Sequence, residues 1–128
     1  MNPETRSVLL IDDEPDIRRI GELALGAVGH WKVFLAASGR EGVPLAVSAQ
    51  PDVILLDVTM PELDGPQTLA LLQANKATCT IPVIFLTARV EHEEVEQYLA
   101  LGVRGVLAKP FSPMSLAADV RALLAAAP

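Results

Sequence analysis

The chain has 128 residues, of which 51% are hydrophobic, 20% charged and 4% aromatic. That suits one domain with a core built from aliphatic side chains. A formal charge of -6 with scattered basic residues argues against direct nucleic-acid binding, and a single cysteine, Cys79, excludes an intrachain disulfide.

The polar start MNPETR lacks a signal core, and the longest apolar runs are far too short to cross a bilayer. The expectation is a cytoplasmic protein without membrane insertion. In chain order, Ser7 to Ile11 reads as a strand. Pro15 to Val28 reads as a helix with Ile17, Ile20, Leu23, Ala24 and Ala27 along one side. Trp31 to Ala36 is a second strand, and Ser38 caps a second helix that must accommodate Pro44. Val53 to Leu56 is a strand closed by Asp57, and Pro66 to Ala74 a short helix. Pro82 to Leu86 is a strand closed by Thr87, followed by an acidic helix from Glu91 to Leu101. Gly105 to Ala108 is the fifth strand, and Ser112-Pro113 opens a last helix that runs to about Ala125.

Strands without polar alternation, separated by helices, predict an α/β fold with an open, doubly wound, five-stranded parallel sheet. Ligands of such sheets sit beyond the carboxyl ends of the strands, where strand order reverses. The polar residues found there are Asp12-Asp13-Glu14 after strand one, Asp57 after strand three, Thr87 after strand four and Lys109 after strand five. With strands one and three adjacent, carboxylates crowd together. They then need protons or a cation, and an all-oxygen set favours Mg2+ or another hard divalent ion. The constellation suggests phosphoryl chemistry: Asp57 as nucleophile, Asp12 and Asp13 as a metal clamp, Lys109 and Thr87 around the transferred group. Each residue alone also fits an ordinary role. Asp12 or Asp13 suits a helix cap, Asp57 and Lys109-Pro110 suit turns, and Thr87 suits a cap.

Ile11-Asp12-Asp13-Glu14, Leu55-Leu56-Asp57-Val58-Thr59-Met60-Pro61, Asp64-Gly65, Leu86-Thr87-Ala88 and Lys109-Pro110-Phe111 together resemble the receiver domain of bacterial two-component response regulators. The resemblance covers nearly the whole chain, with a core of about residues 6–125. It implies a flavodoxin-like fold with strand order 2-1-3-4-5, and a single domain over 1–128 with no effector domain in this chain. It implies phosphorylation of Asp57 by a histidine kinase, a phosphotransfer protein or a small acyl phosphate. Mg2+ or Mn2+ would be held by Asp12, Asp13, Asp57 and the backbone carbonyl of Thr59. Lys109 would pair with the phosphoryl group and Thr87 would swing toward it, with Ala88 leaving room for that movement. The Lys109-Pro110 bond would be cis and aim Lys109 into the pocket. The chain would act as a phosphorylation switch, without being a conventional enzyme, and either change its binding surface for a downstream protein or relay the phosphoryl group onward. Pairing of two copies would use the face of helix four, strand five and helix five.

One position departs from the family. Receivers commonly carry Tyr or Phe three residues before this lysine, and Val106 stands there. That leaves the coupling between Thr87 and the output face open, and it is the feature that would suit a degenerate receiver binding partners without phosphorylation. Thr59 and Arg89, two residues beyond Asp57 and Thr87, are placed to shield an acyl phosphate. The acidic run Glu91 to Glu96 is read as a solvated face, Trp31 as packing and Cys79 as inert. A haloacid-dehalogenase phosphatase would need a second acid where Thr59 stands. A flavodoxin-like cofactor binder would need a phosphate-cradling loop where Asp12-Asp13-Glu14 stands.

Overall fold

A computed structural model describes residues 6–126; the polar first five residues and the last two lie outside the described residues. Five strands, β1 (Ser7–Ile11), β2 (Lys32–Ala36), β3 (Val53–Asp57), β4 (Val83–Thr87) and β5 (Gly105–Ala108), form one parallel sheet. Their order is β2-β1-β3-β4-β5, as the resemblance implied. Between and after them run α1 (Pro15–Glu22), α2 (Gly39–Ala49), α3 (Gly65–Ala74), α4 (His92–Ala100) and α5 (Leu116–Ala125). None of the described helices is long and apolar enough to cross a membrane.

The uninterrupted apolar strands follow from burial on both faces. Along β3, Val53 and Leu55 enter one core and Ile54 and Leu56 the other. The first core is closed by Ala24 and Leu25 near α1 and by Leu116, Ala117 and Val120 of α5. The second is closed by Ala46 of α2, Leu69 and Leu72 of α3, and Met60. Strand alternation therefore sends successive residues into different layers, and Val53 to Leu56 bring no polar side chain to either.

Local signals hold where the cap is written in the sequence. Ser38 Oγ accepts the Glu41 N–H at 3.1 Å and starts α2, which tolerates Pro44 on an exposed position. Asp64 and Gln67 form a reciprocal capping box at the start of α3. Gly65 follows Asp64 because the helix start lies against the strand it follows. A Cβ there would stand 2.7 Å from Val58 Cα and 2.8 Å from the Asp57 carbonyl oxygen. Gly65→Ala should therefore destabilise the fold by about 2 kcal/mol or more in urea melts, because the neighbour is backbone and cannot turn aside.

The first helical segment differs from its expected form. Pro15 to Glu22 is α-helical, but Leu23 to Val28 widens into a π-helical turn. The Gly29 N–H reaches Ala24 O at 3.1 Å, and Arg121 Nη2 donates to Gly29 O at 2.6 Å. A tertiary contact from α5 thus holds the wide turn. The buried side is Gly21, Ala24 and Leu25, whereas Ile20, Leu23 and Ala27 are exposed. Gly21 lies directly on the Leu10 side chain, and this close seat goes with Ile20, Leu23 and Ala27 facing outward while Ala24 of the expected apolar side stays buried. The last helix also begins later than Ser112-Pro113. Residues 113–115 form a turn, the Leu116 N–H donates to Ser112 O at 3.0 Å, and α5 starts at Leu116. Trp31 is buried, as expected of a packing residue, with the Arg121 guanidinium 5.4 Å from its ring centre.

Candidate functional site

Register explains the site. Ile11 pairs with Leu56, so the residues that follow, Asp12 and Asp57, stand side by side at the ends of β1 and β3. Asp57 pairs with Leu86 and Thr87 with Ala108, which brings Thr87 and then Lys109 to the same edge. Asp12 is 0% and Asp57 3% exposed, and Thr87 is also buried. Asp13 is half-buried, and each of Asp12, Asp13 and Asp57 offers a carboxylate oxygen within 4.8 Å of the others.

Lys109 lies at the centre of the cluster, and the Lys109-Pro110 bond that follows it is cis. Its Nζ is 3.1 Å from Asp12 Oδ2, 3.2 Å from Glu14 Oε1 and 3.3 Å from Asp57 Oδ1. Asp12 Oδ1 accepts the Glu14 N–H at 2.9 Å, and the Thr59 N–H reaches Asp57 Oδ1 at 3.4 Å. Asp57 Oδ2 is buried and has no donor among the described residues.

The electrostatics follow from that count. Burial, then the neighbouring Asp12 carboxylate, pushes the Asp57 carboxyl up to about 6, although Lys109 opposes the shift. Burial also raises Asp12, against the Glu14 N–H and Lys109. Burial by itself would lower the Lys109 ammonium, but Asp12, Asp57 and Glu14 outweigh it and hold Lys109 above the usual lysine range. One ammonium thus does not relieve the crowding of the acids. An orphaned Asp57 oxygen in an all-carboxylate set fits a hard divalent cation such as Mg2+ or Mn2+.

The remaining expected residues surround this centre. Thr87 Oγ1 accepts the Arg89 N–H at 3.0 Å, which ties the start of the β4–α4 loop to the strand end. Ala88, Arg89 and Thr59 are exposed. Val106 is half-buried and pairs with Phe85 in the β4–β5 register. The aromatic packing there comes from α4 instead, since the Tyr98 ring meets Phe85 edge-on at 5.3 Å and 85°. The acidic residues Glu91, Glu93 and Glu96 are exposed, and His92 Nε2 contacts Glu96 at 2.9 Å along the helix. Cys79 is exposed in the turn before β4.

Sequence reasoning missed two features. It set Lys109 against the phosphoryl group on Asp57 and overlooked Asp12 and Glu14 as partners of the ammonium. Glu14 was visible as the third acid of its run, but only the path of the chain out of β1 shows that it reaches Lys109. Tyr98 was likewise unremarked, because its contact with Phe85 depends on how α4 sits on the sheet.

Comparison with known proteins bears on the arrangement as a whole. The family model for the response regulator receiver domain matches residues 8–121. Over 117 residues the chain is 38% identical to the probable transcriptional regulator ycf27 of Guillardia theta, covering 91% of this chain and 44% of that protein. It is 38% identical over 122 residues to response regulator Rre1 of Synechocystis, covering 95% of this chain and 53% of the other. The chain spans about half the length of these curated relatives. Among solved structures, the chemotaxis protein CheY4 of Vibrio cholerae superposes with a TM-score of 0.85 at 31% identity, covering 93% of this chain and 98% of that one. The receiver domain of the Francisella response regulator 1452 gives 0.82 at 31%, covering 92% and 95%. Strand order, matched residues and identity over most of the chain agree: this chain belongs to the response regulator receiver domain family of two-component signalling.

Proposed function

We propose that Asp57 is the phosphoacceptor of a signalling switch charged by a histidine kinase, a phosphotransfer protein or a small acyl phosphate. The observation that carries this reading is the register that sets Asp57 beside Asp12, Asp13 and Lys109 at one sheet edge. In the transfer, an Asp57 carboxylate oxygen attacks phosphorus and an acyl phosphate bond forms. The P–N bond of the donor phosphohistidine breaks, its electron pair stays on the ring nitrogen, and that nitrogen takes a proton from solvent. Lys109 lies within reach of Asp57 and would pair with the negative charge on the phosphoryl oxygens. Thr87, buried next to them, would donate its hydroxyl to one of those oxygens once it turns from the Arg89 N–H. The small, exposed Ala88 leaves that motion unobstructed.

Asp12, Asp13, Asp57 and the Thr59 carbonyl would hold Mg2+ or Mn2+. When bound, the ion would neutralise the clustered acids and draw charge from the phosphoryl oxygens. Thr59 and Arg89, both exposed beside the pocket, would set how freely water reaches the acyl phosphate. The acidic unit would deliver its signal by protein contact. Incubation with acetyl phosphate and Mg2+, followed by intact-mass measurement, should show one added phosphoryl group in the parent and none in Asp57→Asn. A parent that stays unmodified would sink the reading.

A further inference from the structure

Lys109 has three ammonium protons and, in this structure, three carboxylate partners. Two of those protons are given in hydrogen bonds to Asp12 and Glu14, and the third faces Asp57 in an ion-pair contact at 3.3 Å. Lys109 can turn a second proton toward the phosphoryl group only if the contact to Asp12 or to Glu14 opens, and the carboxylate partners are not equivalent.

Asp12 is held on both oxygens, by the Glu14 N–H on one and Lys109 on the other, and its side chain is 0% exposed. Asp57 is the reacting group itself and is nearly as buried. Glu14 differs in each respect. Its side chain is 59% exposed, and it carries no capping bond for α1 although it occupies the cap position. Its carboxylate can therefore move into water at little cost, since exposed pairs are held weakly. Lys109 itself is 13% exposed, so the Glu14 carboxylate also covers the open side of the ammonium.

We propose that Glu14 is a positioning residue, acting as a displaceable third partner that parks Lys109 between Asp12 and Asp57 and gives way when the phosphoryl group arrives. The inference rests on the phosphoacceptor reading for its purpose, and on the Glu14–Lys109 contact for its existence. At rest, Glu14 completes the coordination of Lys109. During phosphoryl uptake it competes with the incoming oxygen for one N–H. Removing it should free that N–H in advance.

Two measurements separate the inference from the reading beneath it. The first needs no phosphorylation. Limited acetylation with acetic anhydride, read by peptide mass spectrometry, reports the reactivity of Lys109 against Lys32 and Lys76, the other two lysines in the chain. Glu14→Ala and Glu14→Asp should each raise the relative reactivity of Lys109 by about two- to fivefold, the range expected for an exposed ion pair. Unchanged Lys109 reactivity in both variants would show that the contact holds nothing, and would overturn the proposal whatever Asp57 does.

The second is phosphoryl uptake from acetyl phosphate at saturating Mg2+, resolved into a maximal rate and a half-saturating concentration. Both variants should raise the maximal rate by about two- to fivefold. Glu14→Asp keeps the charge but withdraws the carboxylate by one methylene. If it behaves like the parent while Glu14→Ala is faster, charge near the pocket explains the result and the contact does not. A change confined to the half-saturating concentration would assign Glu14 to donor repulsion and also overturn the proposal. Failure of the phosphoacceptor reading is distinct, since the parent would then take up no phosphoryl group while the acetylation pattern still decides the Glu14 contact.

Discussion

Asp57→Asn should be more stable than the parent by about 2 to 3 kcal/mol at neutral pH, as well as refusing the phosphoryl group. The sign follows from proton binding. In the unfolded chain an ordinary aspartate ionises near 3.8, while the folded Asp57 keeps its proton up to about 6. Between those values the folded state binds more protons than the unfolded one, so stability falls as pH rises. The full penalty is present above about 6 and absent below 3.8. Asparagine does not ionise, so the two urea-melt profiles should coincide in acid and separate across that window. Mg2+ should stabilise the parent more than the variant, because a bound cation relieves the same repulsion. Profiles that stay parallel across the window would show that Asp57 is not electrostatically strained.

Lys109→Met should act in the opposite direction. The ammonium is the only cationic group found within 4 Å of the Asp12 or Asp57 carboxylates among the described residues. Removing one partner of a buried ion cluster leaves the others uncompensated, at a cost of about 3 kcal/mol. The loss should be largest at neutral pH and shrink as pH falls, because protons taken up by Asp12 and Asp57 replace the missing charge. Phosphoryl uptake should drop by about tenfold or more, as expected when a preorganised charge at the reacting group is removed. Urea melts across pH and uptake from acetyl phosphate check both parts. A variant with parent-like stability at neutral pH would mean that solvent already compensates the acids.

Much of this was legible because two physical rules leave marks in sequence. Strands buried on both faces cannot carry polar residues, so the first polar residue after Ile11, Leu56, Leu86 and Ala108 marks the sheet edge. Helix starts with side-chain caps were equally readable, as at Ser38 and Asp64. What was not legible depends on contacts between distant segments. The π-helical turn at Leu23–Val28 goes with the bond from Arg121, and the outward rotation of Ile20 with the seat of Gly21 on Leu10. The start of α5 at Leu116 could not be told from Ser112-Pro113, since that pair suits a turn as well as a helix. The reach of Glu14 to Lys109 spans 95 positions in the chain, and no local pattern encodes it.

The placement of the site at the ends of separate strands bears on the protein during its synthesis. Asp57 and Thr87 end β3 and β4, and Asp12 and Lys109 directly follow β1 and β5, so the pocket requires nearly the whole sheet. Parallel strands joined by helical crossovers close late, after long stretches of chain have been ordered. Until β5 is emitted and docked, Asp57 has neither its lysine nor a finished pocket. With Asp57 as the proposed phosphoacceptor, a partly made or partly unfolded chain would be silent toward a phosphodonor, and only a molecule that has completed its fold would carry the signal.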